Sequence, residues 1–252
     1  MAKDKITNRL SIGSWITLGH PAIAEIMASA GFDWLAIDLE HSVITLREAE
    51  ELVRVIDLKG LAPFVRLSSN NPEQIKRVMD AGAQGVIVPM VKTRQAAIDA
   101  VAAVKYPPLG LRSFGLARAQ GYGPRFDQYV DWQGEGTVVV VQIEHIEAVE
   151  NLGSILSVPG VDAYFVGPYD LSGSLGIPGQ FEHPTFLSAM AEIRRVAESS
   201  GVSGGVHIVE PDIAQLEKCI KEGQKFIAYS IDIRMLDMSC REGLDAVSEL
   251  RL

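Results

Sequence analysis

Apolar residues fall along this chain in short blocks, each closed by a polar cluster, with longer amphipathic stretches between them. The clearest block is Val138-Val139-Val140-Val141, which ends in Gln142-Ile143-Glu144. A second, Asp162-Ala163-Tyr164-Phe165-Val166, ends in Gly167-Pro168-Tyr169-Asp170-Leu171-Ser172. Both have the length and β-branched or aromatic content of buried strands. The stretch Ile146 to Leu156 between them reads as a helix, so the unit is β-α-β with parallel strands.

The same alternation runs the length of the chain. Further strands are expected at Ser11 to Leu18, Trp34 to Asp38, Ala62 to Leu67, Gly85 to Val88, Gly204 to Val209 and Phe226 to Ser230. Helices follow them. Pro21 suits a first helical turn, and Gly31 a stop. Thr45 with Glu48 three residues on is a capping box for a helix to Lys59. Asn71-Pro72 opens a helix to Ala81, Thr93 caps one to Lys105, and Pro211 opens one to Glu222. A helix runs from the Ser172–Pro184 glycine-rich loop to Ser200, and a last one from about Met235 to Leu250. Tyr106 to Gly136 is the longest irregular piece; loops of that length are usually functional or mobile. Eight strands, each followed by a helix, argue for a single (β/α)8 TIM barrel over residues 1–252.

In such a barrel the C-terminal strand ends share one face, where chemistry sits. The polar residues at those ends are Asp38, Glu40 and His41, then Arg66, Gln142 and Glu144, then Asp170, His207 and Ser230. Glu144 and Asp170 are two carboxylates one strand apart on the same rim. Two hard oxygen ligands with room for water and substrate suit Mg²⁺ or Mn²⁺. The alternative is that one or both cap the following helix or pair with an arginine. Asp38 could likewise cap the turn after its strand, and Arg66 could be a structural ion-pair partner.

Composition narrows the class. The chain has 252 residues, 47% hydrophobic and 22% charged, the balance of a globular protein. A net charge of −9 and the lack of a Lys/Arg cluster argue against nucleic acid. No apolar run approaches the roughly 18 residues of a membrane helix, and Met1-Ala2-Lys3-Asp4-Lys5 lacks an apolar signal core. The two cysteines, Cys219 and Cys240, have no ligand-like spacing and read as free thiols in a reducing compartment. The expectation is a cytoplasmic protein with a small-molecule substrate and neither nucleic acid nor membrane as partner.

Several segments resemble the HpcH/HpaI aldolase family. They are Gly31 to His41, which holds Ile37-Asp38-Leu39-Glu40-His41; Pro63-Phe64-Val65-Arg66; Gln84 to Val91; Tyr106-Pro107-Pro108-Leu109-Gly110-Leu111-Arg112 with Ala117-Arg118-Ala119; Gln142-Ile143-Glu144; and Gly167 to Ser172. They are collinear over nearly the whole chain. The resemblance implies a class II pyruvate aldolase that cleaves a 4-hydroxy-2-oxo acid, such as a 2-keto-3-deoxy sugar acid, to pyruvate and an aldehyde. It implies a divalent metal (Mg²⁺ or Mn²⁺, with Co²⁺ also possible) held by Glu144 and Asp170. Arg66 would then face the pyruvate C2 oxygen, Gln142 would bond pyruvate, and backbone N–H groups of Gly167, Tyr169, Leu171 and Ser172 would hold its carboxylate. Asp38 and His41 would form a catalytic dyad at the aldehyde oxygen. His207 would add to substrate binding. The family commonly forms hexamers with exchanged C-terminal helices. No strand end carries a lysine, which argues against Schiff-base chemistry. Oxaloacetate decarboxylation at the same site is the alternative, a CoA-ester reaction is a lesser one, and a non-catalytic keto-acid-binding barrel is the reading from another class. Leu39, Ser113, Tyr169 and His207 depart from the family pattern, and these departures bear on the aldehyde partner.

Overall fold

Alternation along each strand sorts side chains into two cores. In the computed structural model, which describes Lys3 and residues 9–248, eight parallel strands close into a barrel in chain order. They are β1 (Ser11–Ile16), β2 (Trp34–Asp38), β3 (Ala62–Arg66), β4 (Gly85–Val88), β5 (Val138–Ile143), β6 (Ala163–Val166), β7 (Ser203–Ile208) and β8 (Phe226–Ile231), with β8 paired back onto β1. Helices α1 (Pro21–Ser29), α2 (Leu46–Leu58), α3 (Pro72–Asp80), α4 (Arg94–Val104), α9 (Pro184–Ser200), α10 (Ile213–Lys221) and α11 (Asp232–Ser248) occupy the expected places between or after strands. Thr45 and Glu48 make the expected capping box on α2. The helix end expected at Leu250 and the start of the chain, Lys3 apart, lie outside the described residues.

One phase of each strand points out. Leu35, Ile37, Val65, Val86, Val139 and Val141 pack with Leu52, Val53 and Ile56 of α2 and the apolar faces of the other helices. The other phase points in, where Trp34, Phe64, Phe165 and Phe226 meet at the barrel axis with Ala36, Ala62, Ala163 and Ala228. The rings stack closely, Phe165 on Phe226 at 4.6 Å and Trp34 on Phe226 at 5.0 Å. Glycines make room for them. A Cβ at Gly13 would fall 2.0 Å from the Trp34 ring, and one at Gly205 would fall 2.5 Å from Phe165. The barrel is thus filled by alternating large rings and bare backbone, leaving no pore.

Three segments differ from the sequence expectation. The stretch expected to be irregular from Tyr106 to Gly136 ends in a full helix, α5 (Phe126–Gly136). Its first residue lacks a side-chain cap, and its C-terminal carbonyls at Gln133 and Gly134 are satisfied by the buried Lys105 ammonium, at 3.0 and 2.9 Å. The single helix expected from Ile146 to Leu156 is two, α6 (Ile146–Glu150) and α7 (Leu152–Leu156), broken at Asn151, whose side chain donates to the Lys92 carbonyl. The Gly-Pro turn after β6 winds into a short helix, α8 (Pro168–Ser174).

Overpacking tests the inner core. Gly13→Ala forces a methyl into the Trp34 ring, and cores resist such insertions by about 1–3 kcal/mol or more. The expected result is a lower urea midpoint, whereas an unchanged midpoint contradicts the interlock.

Candidate active site

The polar mouth of the barrel continues the inward phase. On β2 the inward series Trp34, Ala36 leads to Asp38, and on β3 Ala62, Phe64 leads to Arg66. On β5 Val138, Val140 leads to Gln142 and Glu144; on β6 Ala163, Phe165 leads to Gly167; on β7 Gly205 leads to His207. A two-residue period therefore delivers these groups to one end. A cavity of about 280 Å³ there brings together His41, Arg66, Gln142, Glu144, Gly167, Tyr169, Asp170 and His207, walled by Trp15 and Phe165. A larger groove, about 750 Å³, lies among Arg54, Arg118 and Trp132 beside the segments that lead into β3 and β4, at the other end of the strands.

Asp38 is fully buried and engaged on all sides. It is the register partner of Arg66, which grips it with Nε at 2.9 Å and Nη2 at 2.6 Å. The Glu40 and His41 amides also donate to it, at 2.9 and 3.2 Å. Burial alone would raise its carboxyl, but the Arg66 bonds and charge and the two amides outweigh burial and hold it below its usual value. The expected side-chain dyad of Asp38 with His41 is therefore not formed: Asp38 reaches only the His41 backbone, because its oxygens already hold Arg66 and the turn. The His41 ring stands at the rim, largely exposed, with Nε2 at 3.8 Å from Glu40 Oε2. Glu40 had no role in the sequence reading. Here it lies 3.4 Å from Arg66 Nε, and burial, countered by Arg66 and reinforced by Asp38 and Asp170, raises its carboxyl to about 6. Arg66 lies over the Trp15 ring at 4.5 Å.

Glu144 and Asp170 do not behave as the bland alternatives require. His145, not Glu144, caps α6. Glu144 is buried and, among the described residues, pairs with no arginine or lysine: Oε1 accepts the Met90 amide at 2.6 Å, and Oε2 accepts Gln142 Nε2 at 3.0 Å. Met90 holds that amide in place from a left-handed backbone, φ 53°, which a non-glycine residue adopts at a cost. Burial, with Glu40 and Asp170 nearby, raises the Glu144 carboxyl to about 7 despite the Met90 amide and Arg66. Asp170 is exposed in the first turn of α8, and among the described residues its carboxylate makes neither a hydrogen bond nor an ion pair. Gly167 lets the two elements meet, since a Cβ there would lie 2.6 Å from Glu144 Oε2.

Two expected binding residues lie beneath the cavity. Leu171 and Ser172 are fully buried; the Leu171 amide donates to the Gly167 carbonyl, and the Ser172 hydroxyl donates to the Tyr169 carbonyl and accepts the Gly179 amide. They shape the turn from below. Tyr169 lines the cavity and stacks edge-on against Phe181. His207 lines it too, packed on Trp15 at 5.5 Å.

A model of the HpcH/HpaI aldolase/citrate lyase family matches residues 11–237. The chain belongs to this family. It is 38% identical over 237 residues to a 4-hydroxy-2-oxo-heptane-1,7-dioate aldolase of Salmonella arizonae, covering 93% of this chain and 89% of that one. It is 39% identical over 230 residues to a 2-keto-3-deoxy-L-rhamnonate aldolase of Salmonella gallinarum, covering 88% and 82%. A crystal structure of an HpcH/HpaI aldolase/citrate lyase family protein from Burkholderia cenocepacia superposes with a TM-score of 0.91 at 33% identity, covering 97% and 98%. The chain is a carbon–carbon lyase of the aldolase kind. Aldolases of this family are typically divalent-metal dependent.

The residues present fit a hard divalent cation. The donors are all oxygen. The Asp170 charge raises the proton affinity of both Glu40 and Glu144, and Glu40 adds to that of Glu144, as expected where a positive charge belongs. Glu40 Oε2 and Gln142 Oε1 are buried without a hydrogen-bond partner. Among the described residues no three His, Cys, Asp or Glu side chains gather as a ligand cluster.

The raised Glu144 carboxyl gives a stability signature. Its folded value of about 7 lies above the ordinary glutamate value of 4.5, so the folded state holds the extra proton between those values. That contribution is full below about 4.5 and lost as pH rises through 7. In chelator-stripped protein, Glu144→Gln is therefore expected to raise the melting temperature at pH 8 and to leave it nearly unchanged at pH 4.5. A lower melting temperature at pH 8 contradicts this electrostatic picture.

Proposed function

We propose that this aldolase cleaves a 4-hydroxy-2-oxo acid of the 2-keto-3-deoxy sugar acid type to pyruvate and an aldehyde. The observation that carries this reading is the Glu144–Asp170 pair, without a lysine or arginine partner among the described residues and sharing one cavity with the fixed Arg66 guanidinium. The relatives named above act on acids whose common unit is a keto group at C2 and a hydroxyl at C4. When bound to the pair, Mg²⁺ or Mn²⁺, or alternatively Co²⁺, supplies Lewis-acid polarisation of the C2 oxygen.

The chain's own residues do the rest. His41 takes the C4 hydroxyl proton; the electrons left on that oxygen form the aldehyde carbonyl, the C3–C4 bond breaks, and its electrons move onto the C2 oxygen. C3 then takes up a proton to become the pyruvate methyl. Histidine suits this proton near neutral pH, and Glu40, 3.8 Å away, takes the orienting part once assigned to Asp38. Asp38 acts through Arg66. By clamping Nε and Nη2 it aims a permanent charge at the oxygen where negative charge grows. Gln142 is tied by its Nε2 to Glu144, and its Oε1 is buried without a partner. The amides of Tyr169 and Asp170, in the first turn of α8 and without intrahelical acceptors, border the carboxylate end, whereas the Gly167 amide already donates to the Ile143 carbonyl.

The reading extends to assembly as a hexamer with exchanged C-terminal helices. Its support is apolar surface: Leu236 and Leu244 of α11 are 55% and 61% exposed in the isolated chain. Light scattering that returns a monomer mass overturns the assembly. A cytoplasmic setting accords with free Cys219 and Cys240, and no described helix is long and apolar enough to cross a membrane.

Pyruvate α-proton exchange in D₂O is expected to require both protein and Mg²⁺ or Mn²⁺, and Asp170→Ala is expected to abolish it with the circular dichroism spectrum retained. An Asp170→Ala protein that exchanges at the normal rate without metal contradicts the ligand pair. His41→Ala is expected to slow aldol cleavage by roughly 10²–10⁴-fold and pyruvate exchange far less, because the ring acts on the C4 oxygen. Equal losses in both assays place His41 elsewhere in the reaction.

A further inference from the structure

The long segment between β4 and β5 builds a second cavity that the aldol chemistry leaves unused. This groove, about 750 Å³, opens at the N-terminal ends of β3 and β4, away from the barrel mouth. Its volume falls within the range of small-molecule sites. Three arginines line it: Arg54 of α2, and Arg118 and Arg125 of the long segment. Two of the guanidiniums are seated on bare backbone. A Cβ at Gly82 would fall 2.4 Å from Arg118 Nη1, and one at Gly121 would fall 2.7 Å from Arg125 Nε. Both glycines line the groove, so the charged ends of these side chains reach it, not only their stems. Arg54 lies beside the hydroxyl of Tyr122, another lining residue, which holds a left-handed backbone at φ 62°.

The charges in the groove do not balance. Asp57 is the one carboxylate among its described lining residues, and Arg118 Nη2 already holds it at 2.6 Å. Arg118 Nη1 donates to the Ala81 carbonyl. Arg54 pairs with Glu50 and Glu51, which stand outside the lining. The Arg125 guanidinium makes neither a hydrogen bond nor an ion pair among the described residues. It is a cation placed by packing and left without a counter-charge. The chain as a whole carries −9, so this groove is a local attractor for anions in an otherwise repelling field. A guanidinium matches phosphate or carboxylate oxygens two at a time. A bare ion would leave most of the volume to water. The remaining lining suits a ring: Trp132, packed on Tyr129 at 5.5 Å, and Tyr122.

We infer that this groove is a second ligand site, separate from the aldol centre, for a small molecule that carries a phosphate or carboxylate on a planar ring, with Arg125 as its anchor. The site is independent of the retro-aldol reading.

Titration calorimetry on the assembled protein tests it, with AMP as the ring-bearing phosphate and benzoate as the ring-bearing carboxylate. Adenosine and inorganic phosphate supply the ring and the anion alone. At least one of the two ring-bearing anions is expected to bind, with the same Kd whether or not pyruvate and Mn²⁺ fill the barrel mouth, and more weakly as salt is added. Whichever binds names the anionic group. Arg125→Ala removes a side chain with no described internal partner, and is expected to weaken that binding by about 10–100-fold while leaving pyruvate proton exchange unchanged. Arg125→Lys, which keeps the charge but loses the fork, is expected to fall between. No heat from either anion, binding that pyruvate and Mn²⁺ abolish, or binding unmoved in Arg125→Ala overturns the site. Inorganic phosphate or adenosine binding as tightly as AMP overturns the ring-bearing anion as its ligand.

Discussion

Everything at this site depends on the closure of a parallel barrel with a strict inward phase. Once Trp34, Phe64, Phe165 and Phe226 are committed to the axis, the residue two further along each strand must face the mouth. The chain cannot slip one strand by a single residue to improve its packing without turning Asp38, Arg66 or Glu144 toward the helices. Packing and chemistry are therefore specified by one variable, the register, and glycines at Gly13 and Gly205 allow that register to coexist with four large rings.

The mouth works against the stability of its own scaffold. The Asp170 charge raises the proton affinity of Glu40 and Glu144, and Met90 holds a left-handed backbone to aim one amide at Glu144. A protein selected for stability alone would have no use for either. The single arginine is held differently: Asp38, two backbone amides and the Trp15 face fix it from several directions. Repulsive groups gathered around a rigid cation are the mark of a site prepared for charge that arrives with a ligand.

Much of this was legible in residue order. Strand blocks ending in Gln142-Ile143-Glu144 and Gly167-Pro168-Tyr169-Asp170 announced the rim, and Thr45 with Glu48 announced α2 correctly. What stayed hidden depended on pairing between distant segments. Asp38 and His41 are close in sequence and suggest a dyad, yet Asp38 belongs to Arg66 because β2 and β3 align those two residues. Glu40 gained its place only when the turn after β2 folded over Arg66. Helix α5 carries no cap signal of its own; its closing group, Lys105, sits 28 residues before Gln133. Leu171 and Ser172 look like part of an open turn, but that turn winds into α8 and buries them.

The 2.6 Å space at Gly167 ties two positions into one unit of inheritance. A methyl group at 167 would displace the Glu144 side chain. Shortening Glu144 to aspartate withdraws that carboxylate by one methylene but keeps the Cβ that lies 2.8 Å from the same point, so a side chain at 167 is only partly relieved in that background. The effects of the two changes would not add. Along any lineage of this fold that keeps glutamate at the end of β5, the opening residue of the next turn is held to glycine by the carboxylate beside it.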